Sequence, residues 1–252
     1  MAKPIDSGKR VPRFFCGAPL STGMQRELPA AAAHHAGRVL RLKADDAVRL
    51  FCGDNLEWHS VITRIERDRV WVRVMQAESR SVEAPLHIAL AQGMSSREKM
   101  DLTLQKATEL GVSEVFPIVT QRSVIKLSDE RADRRVEHWQ GVVAAACEQC
   151  GRNKVPAIHG VERFDHWLGA LPRTSPDLRL LLSPAGSIRL KDIPRPTRVL
   201  LLVGPEGGLS SEERELAEGF SFHPLVLGPR VLRTETAALA TVAAMHALWG
   251  DF

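Results

Sequence analysis

The sequence predicts a two-part chain: a small antiparallel β-barrel or sandwich over residues 1–84, then an α/β domain with a mainly parallel sheet over residues 85–252. Three observations predict it. The texture changes at Glu83–Pro85. Before it, short runs alternate apolar and polar residues, most clearly Arg69–Val74 (RVWVRV), as strands with one buried face do. After it, strand-like and helix-like stretches take turns. Two of the later runs, Leu178–Leu182 and Val199–Val203, are apolar without interruption, as central parallel strands covered on both faces are.

In the first part, strands are expected at Val39–Lys43, Ala47–Phe51, Trp58–Ile65 and Val70–Met75, with turns at Gly53-Asp54-Asn55 and Arg67-Asp68. In the second, Leu86–Gln92 reads as a buried strand. Ser96 then precedes a helix from Arg97 to Leu110, which Gly111 can end in a left-handed cap. Ser113–Val119 is the next strand and Arg131–Cys150 a long helix ended by Gly151. Ser210-Ser211-Glu212-Glu213 has the S-x-x-E form of a capping box, Pro224–Leu227 is a last strand and Thr234–Trp249 a last helix. That helix carries two apolar stripes, Ala238, Val242, Met245, Trp249 and Ala237, Ala240, Ala244, Leu248. A helix apolar on most of its circumference must be buried on most of it, so a homodimer interface is expected there.

Of the 252 residues, 44% are hydrophobic and 25% charged, the balance of a soluble globular protein rather than a fibrous or disordered one. The longest apolar runs fall far short of the ~20 residues a membrane helix needs. The first residues lack the apolar stretch of a secretory leader. The four cysteines are too few for a disulfide scaffold of this size, so a cytoplasmic location is expected. Residues 1–84 hold 14 Lys/Arg against 10 Asp/Glu, whereas residues 85–252 hold 20 of each. All the excess positive charge is in the first part, which suits either a polyanionic partner or a solvated basic face.

No P-loop, G-x-G-x-x-G, H-E-x-x-H or G-x-S-x-G motif is present. Cys147-Glu148-Gln149-Cys150 has C-x-x-C spacing but lies within a helix, on one stripe with Trp139, Val143 and Ala146. Both cysteines are expected to face a core, and no metal is expected.

Two loops carry the chemical signal. Val203-Gly204-Pro205-Glu206-Gly207-Gly208-Leu209-Ser210 follows an apolar strand and precedes a helix, so bare backbone and one carboxylate stand where open α/β sheets bind ligands. Leu227-Gly228-Pro229-Arg230-Val231-Leu232-Arg233-Thr234 again follows a strand and brings two arginines. Two such loops side by side form a pocket of backbone donors and acceptors with apolar walls, suited to a flat ligand such as an adenine. The plainer alternative is that Arg233 simply pairs with Glu235 or another surface carboxylate.

GPEGGLSSEE followed by LGPRVLRTETAALA resembles the RsmE family, the 16S ribosomal RNA (uracil-N3)-methyltransferases of the SPOUT superfamily. The resemblance runs through Arg13-Phe14-Phe15, His35, Val39-Leu40-Arg41, Lys99, Lys106–Val112 (KATELGV), Arg122-Ser123, Glu148–Arg152 and Val155-Pro156. It covers nearly the whole chain in order; residues 1–12 look like an extension.

The resemblance implies an N-terminal PUA-like β-barrel that engages RNA, then a SPOUT domain with a deep trefoil knot, acting as a homodimer on the small ribosomal subunit in ribosome biogenesis. It implies S-adenosyl-L-methionine held by Leu182, Ser183 and Pro184, by Val203, Gly204, Pro205, Glu206 and Gly207, and by Leu227, Gly228, Val231, Leu232 and Thr234. Methylation at N3 requires loss of the imide proton, and an arginine aimed at the resulting anion would stabilise it. Arg233 is the first candidate for that role and Arg230 the second, while the proton acceptor stays open, with Glu206 and Glu235 nearby. Phosphate contacts are expected from Arg13, Arg41, Lys99, Lys106, Arg122 and Arg152. Two other readings compete: a related enzyme methylating a ribose 2′-oxygen, and an RNA-binding assembly factor without catalysis.

Overall fold

A computed structural model describes residues 11–123, 129–175 and 177–252, so most of the N-terminal extension lies outside the described residues. The chain divides into two compact units, residues 1–83 with 147–155, and residues 84–146 with 156–252. The sequence reading assigned no residue beyond 84 to the first unit.

In the first unit, strands β1 (Arg13–Phe15), β2 (Gln25–Glu27), β3 (Ala47–Phe51), β4 (Leu56–Glu66) and β5 (Arg69–Ser79) form one sheet in the order β1-β3-β4-β5-β2. The β1–β3 pair is parallel and the other pairs antiparallel. Alternation in β5 behaves as expected: Val70, Val72 and Val74 enter the core with Phe14, Leu50 and Ile62, while Arg69 and Arg73 face solvent. Each fully buried aliphatic side chain of this kind contributes about 1.5–3 kcal/mol. The strand expected at Val39–Lys43 is absent. The alanine run instead starts a helix, α1 (Ala30–His34), continued by a π-helical turn over His35–Val39. Alanine is the strongest helix former, and Ala32, Ala33 and Ala36 cover the sheet core while Val39 is 61% exposed.

In the second unit, β6 (His87–Gly93), α2 (Arg97–Glu109), β7 (Glu114–Val119) and α3 (Asp129–Cys150) are followed by β8 (Ala157–Ile158), β9 (Glu162–Arg163), α4 (Phe164–Ala170) and β10 (Leu178–Leu182). Then come β11 (Arg198–Val203), α5 (Ser211–Gly219), β12 (His223–Leu225) and α6 (Thr234–Trp249). The last turn of α3, from Cys147, belongs to the first unit. Every pair in this sheet is parallel, in the order β12-β10-β11-β6-β7-β8, with β9 also pairing β7. Both faces of its centre are buried: Leu200 and Leu202 join a cluster with Phe164, Trp167, Phe220 and Phe222, and Leu201 on the opposite side is fully covered. That burial explains the unbroken apolar runs of β10 and β11.

Gly111 and Gly151 end α2 and α3 with φ of +89° and +96°. The long helix buries Trp139, Val143, Ala146 and Cys147, but Cys150 is only half-buried, so the expectation that both cysteines face the core is corrected for Cys150. Along α6, Ala238, Val242, Met245 and Trp249 are buried, whereas Ala240 is exposed, Ala244 half-buried and Leu248 50% exposed. Among the described residues no helix is long and apolar enough to cross a membrane.

Candidate active site

Strands β12, β10 and β11 are neighbours and run the same way, so the loops leaving their carboxyl ends emerge together. The loop after β11 is drawn tightly onto β6. A Cβ added at Gly93 would lie 2.5 Å from the Pro205 nitrogen and 2.8 Å from the Gly204 carbonyl carbon, so only glycine permits the approach. Gly208, with φ +67°, donates its N–H to the Pro205 carbonyl, closing the turn. Ser210 then starts α5 with the predicted capping box, its side chain accepting from the Glu213 N–H and the Glu213 carboxylate accepting from the Ser210 N–H.

The start of α6 locks against this loop. Thr234 Oγ1 donates to the Gly204 carbonyl at 2.6 Å and accepts from Gln92 Nε2 at 3.0 Å. The loops after β10 and β12 are tied as well, the Ser183 N–H donating to the Leu225 carbonyl.

Together the three loops enclose a cavity of about 430 Å³. Of the residues expected to hold a cofactor, Leu182, Ser183, Pro184, Val203, Gly204, Pro205, Glu206, Leu227, Gly228, Val231, Leu232 and Thr234 line it. Gly207 does not: its open side faces Arg122, whose Cβ lies 3.1 Å from where a Cβ of Gly207 would be, and Gly208 lines the cavity instead. Leu181, Val226, Arg214 and Ala237 also line it and were missed. Leu181 and Val226 are each one residue short of the end of an expected strand, and Arg214 lies one turn into the capped helix, so proximity to the loops was the available signal.

Arg230 and Arg233 line the cavity and are exposed, and among the described residues neither side chain has an ion-pair partner. Lys99 stands between the two carboxylates, its Nζ 4.0 Å from Glu235 Oε2 and 3.1 Å from Glu206 Oε1. Glu206 Oε1 also accepts from the Ser96 N–H at 3.3 Å. Burial raises the Glu206 pKa, but backbone N–H groups, including that of Ser96, and Lys99 outweigh it, holding the carboxyl below its ordinary value. Glu235 Oε2 is buried without a hydrogen-bond partner among the described residues.

The expected phosphate contacts separate into groups. Lys99 belongs to the cavity, not to an open surface. Arg122 is exposed and donates to the Gly207 carbonyl at 3.1 Å; Lys106 pairs with Glu109, and Arg41 is exposed with φ +53°. Arg13 and Arg152 are interior residues of the first unit, 7% and 4% exposed. Arg13 donates to the Arg152 carbonyl and to Asn153 Oδ1, faces Glu57 at 3.6 Å and stacks over Phe51, while Arg152 pairs with Glu83. No cluster of three or more potential metal ligands occurs among the described residues.

Comparison with known proteins bears on this geometry. A family model for an RNA methyltransferase domain matches residues 82–246, and one for an RNA methyltransferase PUA domain matches residues 28–75. The ribosomal RNA small subunit methyltransferase E of Buchnera aphidicola from Schizaphis graminum is 32% identical over 244 residues, covering 96% of this chain and 98% of that one. The crystal structure of a protein of the same name from Neisseria gonorrhoeae, bound to S-adenosyl methionine, is 37% identical, has a TM-score of 0.88, and covers 96% of this chain and 100% of its own. A Legionella pneumophila structure described as a methyltransferase with bound SAM is 38% identical with a TM-score of 0.92, covering 97% and 100%. Glycine-bounded loops, a cavity at strand ends and full-length similarity converge on one assignment: the chain belongs to the ribosomal RNA small subunit methyltransferase E family.

Proposed function

We propose that this methyltransferase transfers a methyl group from S-adenosyl-L-methionine to N3 of a uridine in 16S ribosomal RNA of the small subunit. The carrying observation is the cavity itself: three loops at the ends of adjacent parallel strands, ending in two arginines that have no carboxylate partner among the described residues.

The residues present fit such a cofactor. A volume of about 430 Å³ falls within the range of small-molecule sites. Leu182, Val203, Leu227 and Leu232 give apolar walls for an adenine, and the bare backbone around Gly204 and Gly228 gives it a hydrogen-bonding edge. Glu206, held by Lys99, adds a fixed negative charge suited to a hydroxyl or a cationic group. When bound, the cofactor supplies an electrophilic methyl on a sulfonium.

The chain's own part is electrostatic and positional. Loss of the imide proton spreads negative charge over N3, O2 and O4 of the base, and Arg233, assisted by Arg230, holds that charge without first having to leave a carboxylate. An N3 edge is reachable only in an unpaired or flipped-out base. In this reading residues 1–84 form a PUA-like barrel that binds RNA and residues 85–252 a knotted SPOUT domain, with Arg41, Lys106 and Arg122 contacting phosphates. The half-uncovered stripe Ala240, Ala244 and Leu248 supports a homodimer through α6; light scattering that shows a stable monomer at micromolar concentration contradicts it. An enzyme with this substrate works in the cytoplasm.

The direct test incubates small subunits from cells lacking the protein with the enzyme and labelled S-adenosylmethionine, followed by mass spectrometry of nucleosides. 3-Methyluridine is the expected product. Label on a ribose oxygen, or RNA binding without transfer, overturns the proposal.

A further inference from the structure

Four cations line the cavity among the described residues: Lys99, Arg214, Arg230 and Arg233. Lys99 stands against Glu206 and Glu235, and the last two arginines leave the loop after β12. Arg214 is set apart from these, one turn into α5. Its Nη1 donates to the Leu209 carbonyl at 3.4 Å, which draws the guanidinium back toward the loop after β11. Long side chains on a helix lean toward its start in this way. The residue is exposed and, among the described residues, forms no ion pair. Glu212, two positions earlier, feels the charges of Arg122 and Arg214 but pairs with neither among the described residues.

We propose that Arg214 is a further substrate-binding residue, holding a backbone phosphate of the nucleotide whose base enters the cavity. It rests on the methyl-transfer reading and adds to it the group that seats the nucleotide rather than the base alone.

The sheet order carries the placement. In the sequence of neighbours β12-β10-β11, the loops after β11 and β12 emerge on either side of β10. With strands spaced about 4.7–4.9 Å, the ends of β11 and β12 stand roughly 10 Å apart. Arg214 follows β11, whereas Arg230 and Arg233 follow β12, so the opening has cations on two opposed sides. A uridine whose O2, N3 and O4 edge meets Arg233 and Arg230 carries its sugar and phosphate away from that side. Arg214 is the cation that remains there to meet them. A base drawn out of its stack needs its backbone held while the pairing edge is presented, and a phosphate contact fixes that register.

The other anion of the reaction is the carboxylate of the cofactor's methionine portion. That portion is a zwitterion, and the Lys99–Glu206 pair, 3.1 Å apart, already presents one charge of each sign. Those two side chains are 28% and 29% exposed, in the more enclosed part of the cavity, while Arg214 lies on the open side, where a polyanion arriving from solvent meets it. A guanidinium also suits phosphate better than an ammonium does, because its planar fork can grip two oxygens at once. The bond to Leu209 engages one nitrogen and directs the fork, which lowers the ordering cost of a long side chain on binding.

Arg214→Gln tests this, since it keeps most of the side chain's reach and a donor for the Leu209 carbonyl while removing the charge. Affinity of the full-length protein for small subunits from cells lacking it is measured by filter retention across a salt series. Calorimetric binding of S-adenosylmethionine and the unfolding temperature are measured beside it. The expected result is subunit affinity about ten- to hundredfold weaker. The slope of log affinity against log salt should fall by about one, with S-adenosylmethionine affinity and unfolding temperature as in the parent. Arg214→Lys keeps a point charge without the fork, so it should restore the slope and only part of the affinity. The proposal is overturned if Arg214→Gln binds subunits with the parent's affinity and slope. It is equally overturned if S-adenosylmethionine affinity falls by the same factor, which gives Arg214 to the cofactor's carboxylate. Methyl transfer by the parent to the same subunits is read first: absence of 3-methyluridine there counts against the methyl-transfer reading itself, before any substitution is made.

Discussion

Thr234 and Gly204, thirty residues apart in sequence, are joined by a 2.6 Å hydrogen bond from the threonine hydroxyl to the glycine carbonyl. The same hydroxyl accepts from Gln92, so one buried oxygen ties the start of α6, the loop after β11 and the end of β6. Thr234→Val keeps the shape and removes both bonds, leaving the part-buried Gly204 carbonyl without this donor and Gln92 Nε2 with its remaining bond to the Gly93 carbonyl. The expected cost is about 1–3 kcal/mol of stability, together with weaker S-adenosylmethionine binding because the loop loses its clamp. Calorimetry of unfolding and of binding reads both. Unchanged cofactor affinity contradicts a clamping role.

Arg13 gives a contrasting expectation, because its partners are internal. Arg13→Ala leaves the Arg152 carbonyl and Asn153 Oδ1 without this donor, at a cost of about 1–3 kcal/mol. The unfolding temperature should fall, while the salt dependence of RNA binding by the folded protein stays as it was. A residue that neutralised a phosphate would instead lower the slope of log affinity against log salt by about one. That outcome, with an unchanged unfolding temperature, restores Arg13 to the RNA interface.

Arg13 also marks where sequence reasoning stopped. An arginine beside Phe14-Phe15 at the start of a basic segment has the same pattern whether it grips RNA or anchors a strand. The distinction depends on residues 147–155, which join the first unit from far along the chain. Local periodicity carries no information on such a contact. The two glycine-rich loops were legible because their composition is itself the constraint: bare backbone is needed wherever chain approaches chain, as at Gly93 against Pro205. Lys99 was read as a surface cation because a helix exposes its polar face by default; only the loop after β11 folding over α2 turns that face into a cavity wall. The strand expected at Val39–Lys43 failed because a run of alanines upstream extended a helix into it.

Glu206 predicts a pH dependence. Its folded pKa lies below the ordinary value of 4.5, so the stabilisation from its ionised form is fully present above that value and is lost as pH falls through the lower folded value. Cofactor binding that depends on this carboxylate should persist on acidification to about pH 4.5 and fail only below it. Lys99→Met removes one of the groups holding the carboxylate ionised, so the failure should move to higher pH. Titrating binding against pH for both proteins tests this. Identical midpoints show that the backbone N–H groups alone hold Glu206.

Arg233 is the most consequential residue to change. It lines the cavity, is exposed, and holds no carboxylate among the described residues, so its charge is free to meet an anion that develops only as the reaction proceeds. A group whose contribution grows with developing charge affects kcat more than binding, and loss of one such donor typically lowers kcat by about 10²–10³-fold. Arg233→Ala should therefore remove most methyl transfer while leaving S-adenosylmethionine affinity and oligomeric state nearly unchanged. Arg233→Lys keeps the charge but not the planar fork, and should recover only part of the loss if two oxygens of the base are held at once. Transfer by Arg233→Ala within a few-fold of the parent assigns the charge to Arg230 instead, and a parallel loss of cofactor affinity makes Arg233 part of the cofactor's wall rather than of the chemistry.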